Sequence, residues 1–331
     1  TFKGNPVPKN RLEVKISGEL GGLGPSLPTD ALDSWRGTYA VDGEVAGTLT
    51  NPKVSWVFDS KDFAAQEVSI GDLLISGAAD LEAVNIANLT LSGPSGTVQG
   101  TVDYEFASKS VEAELNSDGL KLENIFKLVD SPPVVRGAYT GTITGNGTIA
   151  PLELNADLQG NFYNLDINDG NDFPIVQLPV LASQIRTQIT DRRITIERAT
   201  LGQKNLSIQT FGDITLRPEV MLNLTSNISN ISLKPLSPIV GLEFGGAGQA
   251  AVSVDGPPED ITVSGSARLK KFELEGLRFG SVRSALLYKD RKIELPNLTL
   301  QRDSGTARGK VIVDIDTPGL DAELNFEDIA L

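Results

Sequence analysis

The sequence of 331 residues predicts an all-β fold: an elongated, curled (U-shaped, taco-like) antiparallel sheet of tandem repeats, with an apolar concave face and short helices between repeats. Three observations predict it. Apolar and polar residues alternate with a period of two, which is typical of strands that bury one face. The 33 Gly and 18 Pro residues are spread along the chain and indicate many turns. Similar landmarks return roughly every hundred residues, which indicates a repeat.

The alternating stretches are the predicted strands. In one of them Val54, Trp56 and Phe58 are separated by single residues. The longest run begins at Ile261 and Val263, where apolar or small residues alternate with Thr, Ser and Arg. Because successive side chains of a strand point to opposite faces, each run indicates one apolar face and one polar face.

A helical period appears only in three short stretches, at 28–36, 120–129 and 233–240. Each is followed by a Gly-rich strand and then by a turn that contains proline. Each stretch is too short for a long helix and lies beside or contains Pro, so we expect short helices that separate the repeats.

Two kinds of landmark define the period. Prolines recur at Pro52, Pro151 and Pro257, with spacings of 99 and 106 residues, and leucines recur at Leu115, Leu222 and Leu324, with spacings of 107 and 102 residues. A repeat implies units that stack on one another. The predicted divisions are the tail of a preceding repeat at 1–27 and three repeats at 28–119, 120–232 and 233–331.

The predicted repeats are not separated by polar linkers, which favours one continuous sheet. About twenty strands spaced by ~4.8 Å extend on the order of 95 Å. With little helix available to cover its apolar face, such a sheet is expected to curl on itself. The alternative is a series of ordinary sandwiches whose apolar residues pack against one another.

The composition argues against several kinds of chemistry. The chain has no Cys and no His, which excludes thiol nucleophiles, disulfides and imidazole bases and argues against zinc sites. With 29 basic and 43 acidic residues its net charge is −14, which disfavours a nucleic-acid partner. We therefore expect no enzyme activity, no catalytic residue, no cofactor and no metal.

The beginning of the sequence indicates part of a longer protein. It opens at Thr1 without a methionine, and no signal peptide is recognisable. No apolar stretch approaches the ~18 residues that a membrane-spanning helix needs. We expect the targeting and anchoring segments to lie outside this sequence.

The stretch GEVAGTLTNP at 43–52 resembles the repeat signature of the TamB/AsmA-like family, whose members are repeating β-groove, bridge-like lipid transfer proteins. The corresponding stretches are 141–151 and 248–257, and the Gly-rich strand at 96–104 has the same style. The resemblance covers essentially the whole chain. Only the first copy contains the complete G-x-L-x-x-P turn, and the other two depart from it.

The resemblance implies a location and partners. Members of this family are anchored in the inner membrane of Gram-negative bacteria and reach across the periplasm. It implies a U-shaped sheet with an apolar interior, phospholipid acyl chains as the bound partner, and an outer-membrane β-barrel protein similar to TamA as a second partner. Contact with the membrane is expected through regions outside this sequence.

The candidate site is an apolar groove that shields lipid chains. Each methylene left in water costs about 0.8 kcal/mol, so two sixteen-carbon tails cost roughly 25 kcal/mol without cover. The low aromatic content of 6% favours lipid over sugar. The predicted lining residues are Val54, Trp56, Phe58, Val102, Tyr104, Phe106, Leu152, Leu154, Leu158, Ile194, Ile196, Leu206, Ile208, Leu222, Leu224, Ile261, Val263, Leu269, Ile293, Leu295, Leu324 and Phe326.

The leading function is thus a non-enzymatic periplasmic conduit for phospholipid between the inner and outer membranes. A second hypothesis is a scaffold or chaperone for outer-membrane protein assembly that receives β-strands by strand addition. A third is a structural stalk or adhesin made of sandwiches. Whether Asp166–Asp172 binds calcium also stays open: the run is rich in Asp and Asn, but Gly170 and Gln177 do not fit the EF-hand spacing, and a hairpin turn explains it equally well.

Overall fold

The protein is described from a computed structural model. It describes residues 12–19, 35–48, 50–65, 68–128, 135–168, 174–234, 237, 243–258, 260–315 and 319–328, with the backbone alone for residues 126, 167–168 and 174–177.

The described residues form nineteen strands of one antiparallel sheet and one α-helix, so the prediction of an all-β antiparallel fold is confirmed. The elements are β1 (Leu12–Glu19), β2 (Trp35–Thr48), β3 (Asn51–Ala65), β4 (Val68–Ala79), β5 (Ala83–Gly93), β6 (Gly96–Glu105), β7 (Ser110–Lys121), α1 (Leu122–Leu128), β8 (Val135–Ile149), β9 (Leu152–Asn168), β10 (Pro174–Thr190), β11 (Arg193–Gln203), β12 (Leu206–Thr215), β13 (Met221–Ser232), β14 (Phe244–Gly256), β15 (Thr262–Leu274), β16 (Leu277–Lys289), β17 (Lys292–Arg302), β18 (Gly305–Asp314) and β19 (Gly319–Glu327).

Most strands pair antiparallel with the next strand along the chain, and many of these pairs are joined by short turns. Between β16 and β17, Lys289 is paired with Lys292, and the two turn residues Asp290 and Arg291 both have positive φ. This is the backbone that a two-residue hairpin of type I′ requires, because its twist matches that of the flanking strands.

Helix α1 lies within the stretch 120–129 where a helical period is expected, but Leu120 and Lys121 at the start of that stretch belong to strand β7. Glu123 lies in its first turn and Lys127 in its last, where each charge complements the helix dipole. The Glu123 carboxylate also accepts a hydrogen bond from the Gly137 backbone N–H at 3.2 Å, which ties the helix to β8.

The prediction of a helix at 28–36 is wrong for its last two residues, because Trp35 and Arg36 begin strand β2. Trp35 packs edge-on against Phe63 of β3 with ring centroids 5.2 Å apart, and this tertiary contact overrides the local helical period. The rest of that stretch, 28–34, and most of the stretch 233–240 lie outside the described residues.

The strand lengths recur in sets of six, counted from β2. The fourth strand of every set has 11 residues and the fifth strand has 10. The three predicted Pro-containing turns all lie at the junction between the first and second strands of a set. The predicted repeat boundaries themselves stay a prediction.

Glycines occupy equivalent places in the fifth strands of these sets. Gly100 is paired with Leu115, and Gly309 is paired with Leu324. Gly212 is paired with Leu224, so Leu224 rather than Leu222 corresponds to the other two leucines. A Cβ at any of the three glycines would collide with the backbone of the next strand, which explains why glycine is found there.

The chain divides into two compact units, Thr1–Asn161 and Phe162–Leu331. The first contains β1–β8 and most of β9. The second contains the end of β9 and β10–β19.

Candidate functional site

The first unit has one face made almost wholly of apolar residues and glycine. Residues directly opposite one another in an antiparallel pair point to the same face, so the register defines rows across the strands. Three rows cross β1–β8: Ile16, Val41, Phe58, Ile75, Leu89, Gly100, Leu115 and Ile143; Val14, Gly43, Trp56, Gly77, Ile86, Val102, Ala113 and Gly145; and Leu12, Val45, Val54, Ala79, Val84, Tyr104, Val111 and Gly147. We call these three rows the first apolar face.

The other face of the same strands is polar. One of its rows runs through Glu13, Glu44, Ser55, Ala78, Asn85, Asp103, Glu112 and Asn146. Val57, which lies on this side between Trp56 and Phe58, is 41% exposed. The alternation read from the sequence therefore separates a solvent face from an apolar face in this unit.

The second unit has an apolar face of the same kind, which we call the second apolar face. Its rows include Ile196, Gly212, Leu224, Val254, Val263, Tyr288, Ile293, Val313 and Leu320; Ile194, Ile214, Leu222 and Gly256; and Gly248, Leu269, Val282, Leu300, Ala307 and Phe326. Small and polar residues interrupt it: the hydroxyls of Thr210 and Ser226 lie 2.8 Å apart and hydrogen-bond each other.

Most of the predicted lining residues lie on these faces and are partly exposed. Leu269 is instead buried, with 9% of its surface exposed. Phe106 and Phe326 are instead largely exposed to solvent, at 44% and 53%. Phe106 follows β6 in a turn, with its ring edge-on to Tyr104 at 5.5 Å, and Ile261 precedes β15.

The predicted lining residues divide between the two units, and each unit brings together only its own set. In β9, Leu152, Leu154 and Leu158 alternate with exposed polar residues, as the sequence predicted for this strand. The prediction that these residues line a lipid groove stays a prediction, because burial and register alone do not identify a ligand.

A cavity of about 400 Å³ lies on the first apolar face, within the range typical of ligand pockets. It is lined by Trp35, Val41, Trp56, Phe58, Ser60, Phe63, Leu73 and Ile75. Trp56 and Phe58 were predicted from the sequence and the other six were missed. The alternation of β2 and β4 was the signal that could have identified Val41, Leu73 and Ile75.

Ser60 is the polar exception in this cavity. Its side chain is fully buried, and its hydroxyl oxygen has no hydrogen-bond partner. A buried hydroxyl without a partner carries a desolvation cost of about 1–3 kcal/mol. Because Ser60 has no exposed surface, its hydroxyl is not accessible from the cavity, and the surface that the cavity offers to a bound molecule is apolar.

Part of the second apolar face is closed by its own side chains. Leu269, Val282, Leu298, Leu300, Ala307, Val311 and Val313 form a buried cluster across β15–β18. Leu300 is only 4% exposed and Ala307 is fully buried. The second apolar face is therefore partly filled by its own side chains, whereas the first apolar face contains a cavity.

Charges lie on the solvent side of the first unit. Lys61 Nζ lies 3.1 Å from Asp72 Oδ2 and 3.3 Å from Asp59 Oδ1. The hydrogen bond to Asp72, followed by the interaction with the Asp59 carboxylate, raises the pKa of Lys61. The bonds from Lys61 and from the Asp62 backbone N–H lower the pKa of Asp72. In the apolar region, burial raises the pKa of Tyr139.

Within the described residues, no group of three or more acidic side chains is arranged to hold a metal ion. Residues 169–172 of the Asp166–Asp172 run lie outside the described residues, so its calcium hypothesis stays open. The helix in the described part of the chain is too short to cross a membrane.

No protein family, no curated protein and no solved structure matches this chain. The resemblance to the TamB/AsmA-like family, drawn from the Gly-rich turns and the period, therefore stays a prediction.

Proposed function

We propose that this chain is a non-enzymatic segment that shields the acyl chains of phospholipid on its apolar faces. The observation that carries the proposal is the first apolar face: three rows of apolar residues and glycine stay in register across eight strands while most of their side chains remain partly exposed. A self-filled core would have buried these side chains. The cavity of about 400 Å³ lies on this same face.

The dimensions of the face suit a lipid tail. The rows run across the strands, so eight strands at ~4.8 Å spacing give a row about 34 Å long. The hydrocarbon core of a bilayer is about 30 Å thick and is made of two leaflets, so one tail needs about 15 Å. A tail that lies along a row is therefore covered over its whole length and has room to move along it.

The energetics favour sliding over tight capture. Covering methylenes contributes about 0.8 kcal/mol for each one removed from water. The rows offer few polar groups, so no single position requires a specific partner. The charged head group stays in solvent, because placing it on the apolar rows costs several kcal/mol of desolvation.

The place of action that we propose follows from the family resemblance. The segment works in the periplasm of a Gram-negative bacterium between the inner and outer membranes, anchored by a region outside this sequence. An outer-membrane β-barrel protein similar to TamA is the second proposed partner. Assembly of outer-membrane proteins is the alternative role, and the experiment below distinguishes it.

Site-specific photocrosslinking in cells tests the proposal. A photoreactive residue at Leu154 or Val263, on the apolar faces, is expected to capture phospholipid. The matched positions Asn155 and Ser264 are exposed and adjacent in sequence, so they are expected to capture none. Equal lipid capture at both kinds of position, or none at either, contradicts the proposal. Capture of nascent barrel proteins in place of lipid supports the assembly role.

A further inference from the structure

We infer that the solvent side of strands β13–β17 in the second unit contains a binding site for a phosphate-bearing anion, built around Arg268 and Arg283. The site is a concave pocket of about 520 Å³. Both arginines line it, together with Asn227, Gln249, Ser266 and Asn297. The inference is independent of the proposed function, because these side chains lie on the face opposite to the second apolar face.

The register places two like charges directly opposite each other. Arg268 of β15 is the cross-strand partner of Arg283 of β16, and both are exposed. Like charges at opposed positions destabilise a strand pair. Neither guanidinium forms an ion pair or hydrogen bond with any described side chain.

Two cations on the solvent side of this protein show the opposite arrangement, in which a cross-strand carboxylate faces the cation. Lys15 is opposite Asp42, with their charged groups 3.2 Å apart. Lys292 is opposite Asp314, with their charged groups 3.8 Å apart. Arg268 and Arg283 face each other instead of such a carboxylate, as do the opposed Arg186 and Arg198, in a chain of net charge −14 that carries an excess of carboxylates. An anion bound from solution would supply the negative charge that Arg268 and Arg283 lack.

The pocket offers donors and no carboxylate. Its lining residues include two guanidiniums, amide groups from Asn and Gln, and hydroxyls, but neither Asp nor Glu. Small residues, Ala251 and Ala285, lie between the longer side chains and leave room for the ligand. The guanidinium fork matches the geometry of phosphate oxygens and binds them in a bidentate manner.

Further cations surround the pocket. Arg268 also lines an adjoining concavity with Lys270 and Lys271. Arg308 lies in the same register row, two strands from Arg283. These charges create a local positive potential on an otherwise acidic chain, and such a potential attracts anions with more than one negative charge. The shared ligand chemistry is a phosphate group, whether free or carried by a lipid head group.

Titration with inorganic phosphate at constant ionic strength tests the site, with chloride as the reference salt. In wild-type protein we expect saturable shifts of the arginine side-chain NMR signals and a phosphate-dependent rise in melting temperature. The double variant Arg268→Gln/Arg283→Gln is expected to lose at least tenfold in affinity. Arg198→Gln is the control, because Arg198 is also exposed and opposite another arginine but lies outside the pocket. It is expected to stay within twofold of wild type.

Vesicles distinguish the source of the phosphate. Sedimentation with phosphatidylglycerol vesicles that depends on Arg268 and Arg283 assigns the site to a lipid head group. Phosphate binding without such vesicle dependence assigns it to free phosphate. The inference is overturned if phosphate gives no saturable shift in the wild-type protein, or if the double variant binds phosphate as well as the control does. Since both substitutions relieve repulsion at exposed positions, we expect the double variant to fold.

Discussion

Replacing Val41 by Glu places a carboxylate in the cavity of the first apolar face. Val41 is paired with Phe58 and lines the cavity of about 400 Å³. Val57 provides a matched control, because it is also a valine on a neighbouring strand but lies 41% exposed on the opposite face. The two substitutions add the same charge on the two sides of the sheet.

The expected size of the effect follows from the cavity. At ~30 Å³ for each water-sized volume, about thirteen methylenes fit within it, which corresponds to roughly 10 kcal/mol of gross hydrophobic stabilisation. Ordering the lipid offsets much of this gain. A buried carboxylate costs several kcal/mol of desolvation when a chain covers it, and a loss of ~3 kcal/mol lowers affinity on the order of a hundredfold.

The assay is equilibrium binding of a spin-labelled phosphatidylcholine, whose head group carries no net charge and is not repelled by the new carboxylate. We expect Val41→Glu to bind at least tenfold more weakly than wild type and Val57→Glu to bind within twofold of it. Urea denaturation checks that both variants are folded. Equal binding by Val41→Glu and Val57→Glu in folded protein would refute the idea that this face covers lipid.

Three further predictions concern the fold itself. Gly100→Val is expected to destabilise the protein by at least ~1–3 kcal/mol, because its side chain collides with the backbone of β7; an unchanged urea midpoint would contradict this. Leu300→Ala, in the closed cluster, is expected to cost about 2–5 kcal/mol, whereas Leu277→Ala, 64% exposed, is expected to change the free energy of unfolding by less than ~0.5 kcal/mol. Asp72→Asn should weaken the dependence of the free energy of unfolding on pH in the acid range. Because the pKa of Asp72 is lower in the folded protein than its ordinary value of 3.8, its stabilising contribution is fully present above pH 3.8 and is lost as the pH falls through the pKa of the folded state. Chemical denaturation at pH values between roughly 2 and 6, which bracket the ordinary pKa of an aspartate, measures this dependence. Asp303, in an exposed turn, is the control, and an equal loss of pH dependence in Asp303→Asn would contradict the role given to Asp72.

The sequence predicted the strands and their faces well where alternation is unbroken. At 152–158 the apolar residues lie on one side and the exposed residues on the other, and at 54–58 only Val57 departs from the period of two, because it is apolar yet exposed on the polar face. Local side-chain periodicity suffices there, because each strand is regular and its two faces meet different surroundings.

The register across strands was not predictable from that period. Bulges shift the pairing, as between Ile86 and Leu89 on β5, and one extra residue changes which side chains meet. The same limit explains why Leu222 was matched with Leu115 although the structure places Leu224 in the equivalent position.

The cavity and the arginine pair depend on tertiary structure in the same way. Ser60 follows Phe58 with the correct period, yet only the side chains packed around it determine that its hydroxyl is buried without a partner. Arg268 and Arg283 meet because a hairpin turn and its neighbouring bulge align their strands. The apolar composition of a face was readable from the sequence, whereas its degree of closure was not.

Native mass spectrometry of the protein purified without detergent tests most directly whether the apolar faces cover lipid. We expect a population that carries phospholipid, and we expect it to be restored when lipid-stripped protein is incubated with phospholipid vesicles. Protein that is free of lipid after purification, and that acquires none on incubation, would show that the apolar rows satisfy one another and would contradict the account.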